Sequence, residues 1–296
     1  MFRHTASLII AASLLLSACG VAEEKTSENS TAGGPTTIQE EQSNSNPTET
    51  GEPVTRDPEP STEDTTVTEE KPDTSEKVST EEKVEKTYHM NENYYIKPND
   101  DSNPSKVVLL TFDDGPKEEK MIISLIDTLD KHNAKAIFFV NGYRVKSHPE
   151  LLKLIHERGQ IVGNHAWDHE DLQKMSKSEV AKQVTDVQKI VKDTIGEEPQ
   201  FFRPPFGSGN DALKAAVKKN GMLYMTWSNG SLDWDKSTKD KPEKVIQNVL
   251  DQLNPGSNIL MHELPWTVEA LDELLTKLEK KGYSFVDPRA IELEAR

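Results

Sequence analysis

The stretch VVLLTFDDGP, residues 107–116, carries an apolar run of strand length straight into two adjacent carboxylates, Asp113 and Asp114. An unbroken apolar run, rather than an alternating one, marks a strand buried on both faces, as in parallel sheets covered by helices. Like charges in contact repel, and each carboxylate loses hydration at the edge of a core. A cation, a proton or open water must therefore accompany them. Side chains of neighbouring strand residues also point to opposite faces. Both aspartates can serve one site only if the strand breaks here, and Gly115-Pro116 breaks it. Taken alone, Asp-Gly-Pro is also an ordinary turn.

The same texture repeats downstream. KVVLLTF (106–112) precedes EEKMIISLIDTLDKH, and KAIFFV (135–140) precedes PELLKLIHERG, with Pro149 at a first helical position and Gly159 at the stop. QIVGNH (160–165) precedes SKSEVAKQVTDVQKIVKDTIG, which opens on a Ser cap, and FFRPPFG (201–207) precedes NDALKAAVKKNG. MLYMTWS (222–228) precedes KPEKVIQNVLDQL, NILMHE (258–263) precedes VEALDELLTKLEKKG, and YSFV (283–286) closes the series. Continuous apolar strands separated by helices imply parallel βα units. The fold class is α/β, and seven such strands fit a distorted (β/α) barrel better than the alternative, a doubly wound sheet.

The rest of the 296 residues has another character. MFRH, then ASLIIAASLLL, then LSAC read as a basic start, an apolar stretch too short to span a membrane, and a small-residue ending, so residues 1–18 are expected to be a signal peptide. Residues 20–86 hold no Phe, Trp, Tyr or Leu, with 18 acidic and 6 basic side chains. Such a segment buries too little to offset its ordering entropy, so residues 19–87 are expected to form a disordered acidic linker ahead of a domain at 88–296. As a coil, 67 residues reach roughly 45 Å. The formal charge of −16 resides mainly in that linker and excludes non-specific attraction to nucleic acid. Cys19 is the only cysteine, which leaves neither a disulfide framework nor a cysteine metal site.

The polar residues of the domain share one placement. Asp113 and Asp114 follow the first strand, His165 and His169 the third, Arg203 ends the fourth, Asp233 and Trp234 lie beyond the fifth, and His262 ends the sixth. In parallel α/β folds the C-terminal strand ends gather on one face, where sites are built. Each residue also has a bland reading: Arg203 as a surface arginine, His262 after ILM as a satisfied core histidine. The H-x-x-x-H of His165 and His169 sets two imidazoles on one helical face or around one tight loop. Ala166 stands where a zinc-protease H-E-x-x-H would need its Glu.

Taken in order, TFDDGP, HAWDH, RPPFG, the LDW of SLDW, and LMH resemble the polysaccharide deacetylases with a NodB-homology domain, carbohydrate esterase family 4, over residues 106–287. The resemblance implies a distorted barrel and a divalent metal, usually zinc, held by Asp114, His165 and His169. It implies Asp113 as base, His262 as acid, Arg203 as partner of Asp113, and an oxyanion donor in the backbone N–H near Phe206. Substrate contacts would come from Pro204, Phe206, Trp234 and Leu260, the last two around an acetyl methyl. Trp167 and Trp266 are further aromatics expected to meet sugar. One departure stands out: many relatives read D-x-x-D-W in the fourth motif, whereas the first position here is Gly230. If the missing aspartate tunes the acidic histidine, His262 is less basic, or Asp233 serves instead.

The ending Leu16-Ser17-Ala18-Cys19 resembles a bacterial lipobox, which implies lipidation of Cys19 and a monomeric enzyme anchored outside a cell membrane. The expected substrate is N-acetylglucosamine of peptidoglycan, and FDDGP looks more like the glucosamine- and chitin-directed relatives than the muramic-acid-directed ones. A chitooligosaccharide or exopolysaccharide deacetylase and an O-acetyl esterase are rivals. An inactive wall-binding lipoprotein is the rival from another class.

Overall fold

The computed structural model describes residues 84–296. The expected leader, Cys19 and nearly all of the linker lie outside the described residues. Thr87 already donates its N–H to Ala290 O at 3.0 Å, one residue ahead of the expected boundary. A short antiparallel hairpin follows, β1 (Tyr88–Met90) with β2 (Ile96–Pro98). Its strands are too short and too polar for the pattern to have shown them.

The main sheet contains β3 (Val107–Gly115), β4 (Ala136–Val140), β5 (Ile161–Asn164), β6 (Phe201–Phe202), β7 (Leu223–Tyr224), β8 (Asn229–Gly230) and β9 (Ser257–His262). They run parallel in the order β7-β6-β5-β4-β3-β9-β8, and β10 (Ser284–Phe285) adds to the start of β3. The two edges, β7 and β8, are consecutive in the chain with only residues 225–228 between them, so the sheet curls into an incomplete barrel. The expected strand MLYMTWS (222–228) is thus one short strand, β7, and a crossing that leads to β8. Ser228 N–H bonds Asn258 O at 3.1 Å while Met225 N–H bonds Phe202 O at 2.9 Å, on opposite edges.

Seven helices connect the strands: α1 (Glu119–Lys131), α2 (Gly142–Ser147), α3 (Pro149–Glu157), α4 (Lys177–Ile195), α5 (Asp211–Lys219), α6 (Pro242–Asp251) and α7 (Pro265–Lys280). Local chemistry sets their ends. Pro149, Pro242 and Pro265 occupy first positions, where a missing N–H costs nothing. Ser176 and Glu179 form a reciprocal capping box, and Gly196 closes α4 at φ 85°. The short α2 is the one helix absent from the sequence pattern.

Strand alternation sorts the core. Val108, Leu110 and Phe112 face the helices, with Phe138 and Val140 beside them. Val107 and Leu109 face the barrel interior with Ile137, Phe139, Phe201 and Met225. The interior column of β3 therefore reads Val107, Leu109, Thr111, Asp113. Parallel pairing of Leu109 with Asn258, Thr111 with Leu260 and Asp113 with His262 gives β9 the matching column. The apolar barrel becomes polar at its C-terminal mouth.

Candidate active site

Asp113 reaches the mouth as the last member of its column. Asp114 should by alternation point to the helices, but its φ of 65° turns the chain, and the peptide between Gly115 and Pro116 is cis. The turn brings Asp114 back beside Asp113. His165 and His169 lie on a loop after β5, with Ala166 at φ 63°, so the tight-loop arrangement is the one realised.

Arg203 is wholly buried beneath them, stacked on Phe139 at 4.5 Å from the ring centre. Its N–H groups all donate: Nε and Nη2 to Thr226 O at 3.1 and 2.9 Å, Nη2 to Asn258 Oδ1 at 3.0 Å, and Nη1 to Thr111 Oγ1 and Asp113 Oδ1, both at 2.7 Å. A charge so placed is tolerable only because every donor is satisfied and Asp113 neutralises it. Pro204 is buried behind Arg203, and Pro205 starts a single 3₁₀ turn.

His165, 2% exposed, donates from Nδ1 to the Arg203 carbonyl at 2.7 Å. A carbonyl only accepts, so in the neutral ring the Nε2 lone pair faces Asp114 Oδ1 at 3.4 Å. His169 Nε2 lies 3.2 Å from the same oxygen, and burial lowers its pKa, favouring the neutral ligand form. Asp114 Oδ1 is buried and has no hydrogen-bond partner among the described residues. Burial pushes the Asp114 carboxyl up, yet His165, with His262 and His169 behind it, holds it well below the ordinary carboxylate range. Lone pairs converging this closely repel unless a cation separates them. Two ligand atoms about 2.0–2.1 Å from a tetrahedral zinc stand roughly 3.3 Å apart. The 3.2 and 3.4 Å separations match, and the one-oxygen, two-nitrogen donor set suits that ion. These three residues are the metal-competent cluster among the described residues.

On the opposite side His262 gives its Nδ1–H to Asp233 Oδ1 at 2.7 Å. Asp233 is fully buried, and its Oδ2 also accepts the His262 N–H and the Thr267 hydroxyl, both at 2.7 Å. Burial would lower the His262 pKa, but the Asp233 carboxylate, aided by Asp113 and Asp114, raises it above the ordinary histidine value. Of the two alternatives raised by Gly230, the geometry is that of the second: Asp233 holds the His262 ring, and the side chains nearest to where a Gly230 Cβ would stand are those of Trp234, Leu232 and Trp227. Asp233, grouped with the catalytic residues from sequence, orients His262 from beneath and does not reach the cleft.

The rim is apolar. Phe206 is 64% exposed, at φ 59°, with its ring edge-on to His169 at 4.6 Å, and Trp234 is 46% exposed against His262 at 5.2 Å. Leu260 is buried one step below His262 in the β9 column. Two aromatics expected to meet sugar are committed elsewhere: Trp167 covers Gly142, where no Cβ would fit, and Trp266 donates Nε1–H to Asp233 O at 2.7 Å. Sequence reasoning missed Thr111, Asn258, Thr267, Glu263 and the exposed Leu232. Only Glu263 left a signal, a carboxylate prolonging the apolar NILMH run. Burial pushes its carboxyl up to about 7.

The sequence pattern of the family described as polysaccharide deacetylase matches residues 100–225. Over 184 residues the chain is 40% identical to the peptidoglycan-N-acetylglucosamine deacetylase PgdA of Listeria monocytogenes, covering 62% of this chain and 38% of that protein. It spans about two-fifths of the length of the first curated relatives it matches. Among solved structures, the Bc1960 peptidoglycan N-acetylglucosamine deacetylase is 33% identical with a TM-score of 0.59, over 65% of this chain and 91% of that one. BA3943 of Bacillus anthracis, described as a pseudoenzyme of carbohydrate esterase family 4, is 29% identical with a TM-score of 0.58, over 61% of this chain and 63% of that one.

Proposed function

We propose that this chain, which belongs to the polysaccharide deacetylase family, hydrolyses N-acetyl groups of a cell-wall glycan, with N-acetylglucosamine of peptidoglycan as its leading substrate. The observation that carries the reading is the convergence of Asp114, His165 and His169 between an Arg-held Asp113 and an Asp-held His262. Relatives of this fold include a pseudoenzyme, so overall likeness does not decide activity; this set of side chains favours an enzyme over a glycan clamp.

Amide hydrolysis needs a water stripped of its proton, a polarised carbonyl and a protonated leaving amine. Asp114, His165 and His169 would hold a divalent cation, best matched by zinc, which lowers the pKa of water and polarises an acyl oxygen. Asp113 accepts the proton of the attacking water. It is aimed by Arg203, whose other donors are fixed on Thr111, Thr226 and Asn258. His262 gives its proton to the departing nitrogen, and the Asp233 carboxylate, by raising its pKa, favours the protonated ring that this role needs. Phe206 and Trp234 flank the cleft as surfaces for a sugar ring, the Phe206 backbone N–H serves as oxyanion donor, and Leu260 floors an acetyl pocket.

We further propose that the protein is a monomer on the outer face of a bacterial cell membrane, held through lipidated Cys19, with residues 20–83 as its reach into the wall. Released acetate tests the chemistry. Peptidoglycan, chitooligosaccharide and acetylated xylan are offered separately to zinc-loaded protein. Release from peptidoglycan first is the expected result; release only from xylan makes the protein an O-acetyl esterase, and none from any substrate makes it a clamp.

A further inference from the structure

Glu263 is 1% exposed, follows His262 directly, and plays no part in the chemistry above. Its Oε2 accepts the backbone N–H of Lys117 at 2.8 Å. Its Oε1 would overlap a Cβ on Gly115, so the carboxyl packs close against this glycine because it has no side chain. A single carboxyl just past β9 thus meets the turn on both sides of Pro116. It does so by the hydrogen bond that Oε2 accepts at Lys117 and by packing of Oε1, which has no hydrogen-bond partner among the described residues, at Gly115. On the other flank, Asn141 at the end of β4 donates its N–H to Gly115 O at 3.0 Å.

That turn has work to do. It holds Asp114 at φ 65°, a conformation that costs a non-glycine residue energy unless its surroundings impose it. Asp114 supplies the only oxygen of the metal-competent cluster. If Asp114 relaxed toward extended backbone, its carboxylate would swing to the helical face and away from both imidazoles. Because residues 262 and 263 are consecutive, the end of β9 places the acid and the residue directly after it holds the ligand turn.

We infer that Glu263 is a positioning residue that fixes the 113–117 turn so that Asp114 is set for the cation before the cation arrives. The inference rests on the metal reading proposed above. Groups behind a ligand typically contribute 10–100-fold to metal affinity.

Zinc affinity of the metal-stripped protein, measured by competition with a chromophoric chelator, tests it without recourse to activity. Glu263→Met keeps the bulk and removes the acceptor, and should bind zinc at least about tenfold more weakly while retaining native circular dichroism. Glu263→Gln keeps an oxygen for Lys117 N–H and should restore affinity to within about threefold, a rescue that mere packing would not require. Gly115→Ala, whose new Cβ displaces the carboxyl, should lose affinity as Glu263→Met does, and it decides the matter if Glu263→Met does not fold. Wild-type affinity in Glu263→Met or Gly115→Ala overturns the inference, as does a Glu263→Gln loss equal to that of Glu263→Met. A wild-type protein that binds no zinc overturns both this inference and the metal reading beneath it.

Discussion

Replacing Arg203 by Met leaves the Asp113 carboxylate, itself 3% exposed, buried without its partner. Two acceptors lose their donor as well, Thr111 Oγ1 and Asn258 Oδ1, and Thr226 O keeps only the bond from Asn258 Nδ2. Breaking a buried pair by removing one member costs about 3–5 kcal/mol, a large part of a domain's typical ~5–15 kcal/mol. The lost stability should appear as a fall in urea midpoint at unchanged slope, measured with EDTA present so that metal binding does not add to the folded state. The second arm is Asp113→Asn. In the Arg203→Met/Asp113→Asn double variant no charge is left unpaired. Its destabilisation should therefore fall short of the sum of the singles by about 1.5 kcal/mol or more. Additivity within about 0.5 kcal/mol would refute the idea that these two groups stabilise one another in the barrel.

Three further outcomes follow from the same geometry. His165→Ala or His169→Ala should abolish bound zinc and acetate release together, since two remaining ligands rarely hold the ion; zinc content by atomic emission beside an acetate assay checks this. Asp233→Asn should move the basic limb of the kcat/KM profile to lower pH. The carboxylate raises the His262 pKa, so its loss lets the acid deprotonate earlier as pH rises, and an unmoved limb would assign the raised pKa elsewhere. Deleting residues 20–83 should leave Tm and turnover of soluble oligosaccharides nearly unchanged while reducing wall modification in cells. Cys19→Ser should abolish membrane anchoring; a Tm lowered by several degrees on deletion would contradict a linker role.

Much of the fold could be read from sequence because parallel strands buried on both faces leave uninterrupted apolar runs, as in Val107–Phe112 and Ala136–Val140. Length and pairing were harder. Nothing in MLYMTWS distinguishes Leu223, which pairs with Phe201, from Met225, where the chain begins to cross to the other edge. The site residues were visible as reactive side chains at strand ends, but their orientation was not. Alternation alone would have sent Asp113 and Asp114 to opposite faces, and the φ of Asp114 reverses that. Supports such as Asn258 and Thr267 read as unremarkable polar residues because their role depends on what the curled sheet brings above them.

The two adjacent aspartates give the most direct test. In Asp113→Asn, zinc should remain near one equivalent per chain while acetate release falls by about 10²–10⁴-fold, because the base is gone and the ligand set is whole. In Asp114→Asn, zinc and acetate release should vanish together. Equal zinc content in the two variants, whether both full or both empty, would contradict the division of one carboxylate to a cation and the other to Arg203.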